Sequence, residues 1–163
     1  MIKEVQSGTC LEYQNLVHSI PANVRLMRSR DCREIATIGY GRFEYPWLKR
    51  TRPRRNDIVC YVVEHDGFVA AYAVIQYCRD HFELCNLVVD QPYRRHKIAT
   101  LLIDMLKIKA HLEGISFISA CVGVFNLPAQ SLLMKNGFMP KELLHNYATG
   151  CNAHYMECPT EQI

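Results

Sequence analysis

Four consecutive residues, Arg94, Arg95, His96 and Lys97, carry or can acquire positive charge. Their position matters more than their number. Just before them, Leu87, Val88 and Val89 form an apolar run too short for a helix and rich in β-branched side chains, which predicts a buried strand. Asp90, Gln91 and Pro92 end it, because proline has no N–H to give to a ladder. Just after the cations, Ile98, Leu101, Leu102, Met105, Leu106 and Ile108 recur at helical spacing. The basic cluster therefore falls where a strand becomes a helix. Unpaired backbone N–H groups and the positive end of the helix dipole converge there. The dipole alone favours an anion by roughly 0.3–1 kcal/mol, and phosphate is well held at such a point. A solvated basic turn before an ordinary helix is the other reading of the same spacing.

A second basic stretch comprises Lys49, Arg50, Arg52, Arg54 and Arg55, five positive charges within seven residues. Pro53 argues against a continuous helix there. The stretch reads as a solvated loop, or as a lip attracting an acidic partner or RNA.

The elements that position these groups follow from pattern and punctuation. Residues 24–28 alternate as a first strand, and Asp31 is placed to cap a helix bearing Ile35, Ile38 and Tyr40. Residues 58–64 and 68–77 read as strands around His65-Asp66-Gly67, a hairpin signal in which glycine supplies positive φ. Arg79-Asp80-His81 makes the next turn. Residues 82–90 and 115–125 give a fourth and a fifth strand on either side of the long helix, which Gly114 ends. Pro128 suits the first turn of a further helix, which Gly137 closes. Phe138 leads back toward the sheet, and residues 152–158 make a last strand after a loop containing Tyr147 and Gly150. Strands and helices interleave, with hairpins first, so the class is mixed α/β.

Composition bounds the rest. The 163 residues suffice for one domain with a real core. Apolar content of 49%, charged content of 21% and a formal charge of +3 describe a soluble globular chain, not one committed to nucleic acid by charge alone. No apolar run reaches membrane-spanning length, and the N-terminus lacks a signal-peptide core. The eight cysteines lie far apart without a C-x-x-C pair, so no metal site is expected. Cys60, Cys78, Cys85 and Cys121 fall in strand-like runs and read as packed, reduced thiols of a cytoplasmic protein. Residues 1–21 read as an N-terminal extension with a short helix ended by Pro21, ahead of a domain spanning residues 22–163.

Residues 86–105 resemble the acetyl-CoA motif of the GNAT superfamily of N-acetyltransferases, V-x-P-x-Q/R-x-x-G-x-G/A. Val89, Arg94, Ile98 and Ala99 fit it, Pro92 is displaced by one position, and Lys97 stands at the first glycine, where it gives up that residue's backbone freedom and adds a cation. Asn126, Ala129, Gly137 and Phe138 are similar to the family's N-x-x-A-x-x-x-Y-x-x-x-G-F, with Leu133 at the tyrosine. Asp31, Ile35 and Ile38, followed by Phe43, Pro46 and Trp47, resemble the first helix and F-x-x-P-W turn of the branch containing ribosomal-protein alanine N-acetyltransferases.

The resemblance implies a mostly antiparallel sheet, splayed into a V between strands 4 and 5 and flanked by helices. It implies acetyl-CoA as cosubstrate and transfer of acetyl to an amine in a ternary complex. The acceptor would be a small molecule or a protein N-terminal α-amine. Pyrophosphate would be held by the backbone of Arg94, Arg95, His96, Lys97, Ile98, Ala99 and Thr100, with the arginines as added charges. The pantetheine arm would run along Leu87, Val88 and Val89 like an added strand, with Asn126 hydrogen-bonded to it or capping the next helix. The branch's catalytic glutamate position is Cys121 here. The base position used by histone acetyltransferases, aligned through Arg94, is Glu83, with His81 in reserve. Tyr147 resembles a branch tyrosine and would either bind the acceptor or take the acid role that Leu133 cannot fill. The joint changes at Lys97, Cys121 and Leu133 support an alternative, an acyl-CoA-binding module without catalysis.

Overall fold

The structure is a computed structural model that describes residues 23–39, 57–148 and 150–160. The expected N-terminal extension, the basic stretch from Lys49 to Arg55 and the Phe43, Pro46 and Trp47 turn lie outside the described residues. Seven strands form one sheet in the order β1-β2-β3-β4-β5-β7-β6. They are β1 (Val24–Leu26), β2 (Ile58–His65), β3 (Phe68–Tyr77), β4 (His81–Val89), β5 (Phe117–Gly123), β6 (Met139–Ala148) and β7 (Cys151–Pro159). Three α-helices flank it: α1 (Cys32–Ile38), α2 (Ile98–Leu112) and α3 (Leu127–Lys135). All neighbours pair antiparallel except β4 with β5. The mixed α/β expectation holds, with the parallel pair where the family resemblance puts it.

The sheet buries both faces. Phe82, Leu84, Ile118, Ala120, Val122 and Met156 pack with Leu102, Ile103, Met105 and Leu106 of α2 and with Leu133 of α3. On the other face Cys60, Val62, Val69, Tyr72 and Val74 pack with Ile35 of α1. Period-2 and period-3.6 patterns meeting at shared cores explain why strand and helix positions were readable along the chain.

Turn chemistry fixes the connections. Asp66 and Gly67 both have positive φ, 50° and 83°, and join β2 to β3 as a two-residue hairpin loop in which His65 still pairs with Phe68. Gly114 closes α2 with φ 69°, while Ile115 N–H bonds to Ala110 O and Gly114 N–H to His111 O, the Schellman pattern. Gly137 repeats it for α3, with Phe138 N–H on Leu133 O and both side chains buried.

Several expectations are corrected. Residues 139–148 form the ten-residue strand β6, so Tyr147 sits in a strand rather than in a loop. Both faces of this strand are largely solvated, with residues 139–147 exposed except for half-buried Leu144, so no alternation of hydrophobicity marks it. The first strand stops at Leu26, and the fifth runs only over residues 117–123. Asp31 makes no side-chain cap to α1; its carboxylate accepts from Arg28 N–H at 2.6 Å and from the Arg25 guanidinium at 2.7 Å. Of the four cysteines expected in the core, only Cys60 is buried; Cys78 and Cys121 are half-buried and Cys85 is exposed. All seven described cysteines are free thiols.

Candidate active site

The parallel β4–β5 ladder is three residues long: His81 with Phe117, Phe82 with Ile118, and Glu83 with Ser119. Beyond Glu83 the two strands part, which is the V expected from the family resemblance. The bulge that helps to open it lies at Cys85: Ile75 pairs with Leu84 but the next pair is Val74 with Asn86, so β4 carries one extra residue. A bulge bends its strand and raises local twist. Toward β3, Asp90 N–H bonds to Ala70 O at 2.9 Å. Antiparallel alternation then turns the peptide groups of Leu87 and Val89 away from β3 and into the gap. Val89 O accepts from Arg94 Nε at 3.0 Å, as that orientation requires.

At the end of β4 the chain makes a 3-10 turn over Gln91–Tyr93, with Asp90 Oδ1 accepting from Gln91 N–H. Arg94, Arg95, His96 and Lys97 are all exposed. Arg95 and Lys97 are both left-handed, with φ 68° and 60°. Lys97 therefore adopts the conformation that a glycine would adopt without strain, at a cost of roughly 1–2 kcal/mol. The expectation that lysine gives up this backbone geometry is corrected: the geometry is kept. Lys97 is the N-cap of α2 and makes no side-chain cap, and the first intrahelical bond runs from Leu101 N–H to Lys97 O at 2.9 Å. The amides of Ile98, Ala99 and Thr100 thus have no carbonyl within the helix to bond.

Asn126 stands at the C-terminal end of β5, across the gap. Its Oδ1 caps α3 through Ala129 N–H at 3.4 Å, leaving the amide NH2 as the group it offers elsewhere. Gln130 Nε2 ties α3 to Gly123 O and Val124 O, both at 3.0 Å. Leu133, at the family's tyrosine, is buried in the core.

Around the point of the V lie the catalytic candidates. Glu83 is half-buried on the face of the sheet opposite α2. The Tyr147 phenol and the Cys121 thiol interact; that interaction, then burial, then the nearby Glu83 charge raise the tyrosine well above its usual range. Burial raises Cys121 too, with Tyr147 opposing and Glu83 adding to the rise. Tyr147 reaches this point from the edge strand because β6 carries extra residues: Leu144 pairs with Ala153 but Ala148 with Cys151, and Asn146 takes φ 51°. Glu83, Cys121 and Tyr147 are thus brought together from three strands. His81 is drawn off to stack on Phe117, with ring centroids 4.8 Å apart, and to pair with Asp80 at 2.8 Å.

The sequence offered no sign of three further residues here. Ser119 faces Glu83 on one side and Glu157 on the other, Tyr155 lies opposite Cys121, and the Ser119 hydroxyl is buried with no hydrogen bond of standard geometry. Only the register across β5 and β7 reveals them. Among the described residues no cluster of histidine, cysteine and carboxylate side chains suits a metal ion.

An open strand edge, a helix N-terminus with unbonded amides and a cationic turn form one track along the C-terminal ends of two separating parallel strands. A carboxylate and a phenol stand at its inner end. Comparison with known proteins gives the fold and the family. A Bacillus subtilis (strain 168) protein, named provisionally as a ribosomal protein bS18-alanine N-acetyltransferase, is 30% identical over 132 residues, 78% of this chain and 87% of its own length. The ribosomal-protein-S18-alanine N-acetyltransferase of Escherichia coli superposes with a TM-score of 0.74 at 20% identity, covering 86% of this chain and 94% of that one. Ard1 from Thermoplasma volcanium does so with a TM-score of 0.71 at 22% identity, covering 83% and 95%. Residues 27–138 match the family model described as acetyltransferase (GNAT) family, and the chain belongs to the GNAT acetyltransferases.

Proposed function

We propose that this chain is an acetyl-CoA-dependent N-acetyltransferase whose acceptor is a protein N-terminal α-amine, with acetyl passing directly to it in a ternary complex. The observation that carries the reading is the parting of β4 from β5 directly after Glu83, with the peptide groups of Leu87 and Val89 facing the gap.

The residues present fit an extended, phosphorylated thioester. Acetyl-CoA, when bound, supplies the activated acetyl group. Leu87, Val88 and Val89 offer a strand edge for the two amides of its pantetheine arm. The N–H groups of Arg95, His96, Lys97, Ile98, Ala99 and Thr100, with the charges of Arg94, Arg95 and Lys97, hold its pyrophosphate. The Asn126 amide flanks the arm from β5. Glu83 takes the proton of the acceptor ammonium, so that a neutral amine meets the thioester. Tyr147, held protonated by its surroundings, hydrogen-bonds the departing sulfur.

The ribosomal acceptor in the Bacillus relative's name favours a ribosomal protein beginning with alanine, met in the cytoplasm. The basic stretch from Lys49 to Arg55 then attracts the acidic or RNA surroundings of that acceptor. Residues 1–21 extend a unit that begins near residue 22. A second reading, an acyl-CoA-binding module without catalysis, is favoured by Leu133, which is buried in the core and has no proton to give.

Calorimetric titration with acetyl-CoA, followed by an acceptor panel, tests the proposal. The panel holds an alanine-initiated peptide, its Nα-blocked form, a lysine peptide and simple amines. Micromolar binding with acetylation of only the free α-amine is the expected result. Binding without transfer to any amine selects the second reading, and no binding removes both.

A further inference from the structure

Ser119 raises a question that the mechanism above leaves open. Its side chain is almost wholly buried, at 1% exposure, and its hydroxyl has no hydrogen bond of standard geometry. A buried hydroxyl left in that state costs roughly 1–3 kcal/mol and calls for a reason. Alanine would fill the same place at lower cost.

Its neighbours suggest the reason. In the sheet Ser119 lies between Glu83 of β4 and Glu157 of β7, paired with both. Strands lie about 4.8 Å apart, so the three residues form one row, with their side chains on the same face. Tyr155, two residues before Glu157 and on that face, bridges the outer half of the row. Burial pushes its phenol up, and the adjacent Ser119 hydroxyl partly offsets this although no bond of standard geometry joins them. The Glu157 carboxylate, two residues on and on the same face, acts in the opposite sense. Glu157 is 29% exposed and has Lys141 Nζ at 4.0 Å, so the row ends in a carboxylate that water reaches. Among the described residues the other titratable groups near the row are Cys78, His81 and Cys85, Cys121 of β5, and Tyr147 and Glu142 of β6.

We propose that Ser119, Tyr155 and Glu157 form a proton relay that carries the proton taken by Glu83 out of the cleft to the solvent side of β7. The inference rests on Glu83 as the base. Cosubstrate and acceptor together close the open side of Glu83, so the proton needs a way out through the protein. In one shift the Glu83 O–H proton passes to Ser119 Oγ, the Ser119 proton to Tyr155 Oη, and the Tyr155 proton to the Glu157 carboxylate. One O–H bond breaks and one forms at each hydroxyl, neither hydroxyl changes charge, and Glu83 is returned as carboxylate. Glu157 releases the proton to water, and rotation of the two hydroxyls restores the row. Ser119, Tyr155 and Glu157 act through Glu83 and are positioning residues for proton transfer.

The test uses whichever amine of the panel the full chain acetylates. Steady-state kinetics would be compared for Glu83→Gln, Ser119→Ala, Ser119→Thr and Tyr155→Phe, in H2O and D2O and over a series of buffer concentrations. The relay predicts that Ser119→Ala and Tyr155→Phe each lower kcat about tenfold, within the range of proton-transfer effects, with KM unchanged. It also predicts a larger solvent isotope effect, recovery as small buffer acids and bases are added, and near-normal turnover for Ser119→Thr. Normal kcat and an unchanged isotope effect in Ser119→Ala overturn the relay. So does a lowered kcat that buffer does not relieve, because a packing defect behaves that way. In either case a large loss in Glu83→Gln keeps the base assignment alive on its own. Normal turnover in Glu83→Gln removes the base and the relay with it, and a chain that acetylates none of the amines overturns both.

Discussion

Glu83 and Ser119 are the last paired residues of the parallel β4–β5 ladder. One register further on the strands have separated. The carboxylate therefore stands at the closed end of a cleft whose walls are two strand edges. In the proposed binding mode, a thioester lying along β4 would end beside it.

Replacement of Glu83 by glutamine keeps its shape and removes its basicity. The expected outcome is a loss of about 10²-fold or more in kcat, typical of a removed general base, with acetyl-CoA affinity unchanged by calorimetry. Turnover at the normal rate would show that water or another group accepts the proton.

Lys97 keeps a left-handed backbone that costs a side chain roughly 1–2 kcal/mol. Lys97→Gly is therefore expected to raise the melting temperature by about 2–4 °C, the scale of 1 kcal/mol in a chain of this size. The same change removes a cation beside the amides of Ile98, Ala99 and Thr100. Acetyl-CoA should bind several-fold more weakly, with a shallower salt dependence, since screened charge interactions are what the variant lacks. Tighter binding by the variant would show that Lys97 obstructs the phosphate site.

Asp31 is buried and held by the Arg25 guanidinium, which also bonds to Glu64. The Arg25 bond lowers the Asp31 pKa, against the opposing effect of burial. For a lowered carboxylate the stabilisation is complete above the unfolded value, 3.8 here, and fades as pH falls through the folded value. Asp31→Asn should destabilise the fold by about 3 kcal/mol at neutral pH, the cost of breaking a buried ion pair. The variant's melting temperature should also fall less steeply in acid. Equal acid slopes for the two proteins would dismiss the linkage.

Cys60 titrates in the opposite direction. Burial pushes its thiol from 9.0 up to about 12. Above pH 9 the unfolded chain has released a proton that the folded chain still holds, so stability falls as pH rises toward 12. The slope from this group is up to about 1.4 kcal/mol per pH unit. Denaturant titrations at intervals across that window should show the decline, and Cys60→Ala should flatten it. An unchanged slope in the variant would move the alkaline loss to the other groups raised to about 12, Tyr61 and Cys85.

The reach of the sequence can be judged element by element. The strand–turn–helix unit from Leu87 to Leu112 was legible because its signals are local: a β-branched run, a proline, a cationic turn and a 3.6-residue apolar repeat. The same holds for the Asp66–Gly67 hairpin and the two glycine-terminated helices, where single residues set the backbone. Together with the motif at Asn126 these made the family readable before any coordinate was known. Strand β6 is not legible, because its residues are exposed on both faces and no alternation marks them, so Tyr147 reads as a loop residue.

The rest of the site lies across strands rather than along them. The bulge at Cys85, the three-residue length of the β4–β5 ladder and the extra residues of β6 are matters of register, and register is set by partners distant in the chain. Those registers bring Glu83, Cys121 and Tyr147 to one point and put Ser119 between two carboxylates. They also send Leu133 into the core. Lys97 shows the same division of labour. Its side chain alone argued against a glycine-like turn, yet the strand before it and the helix after it hold the backbone left-handed. The sequence by itself determined the elements and the chemistry class, because both rest on neighbours in the chain. The sheet decided the site, because a cleft between two strands exists only once both are paired to the rest.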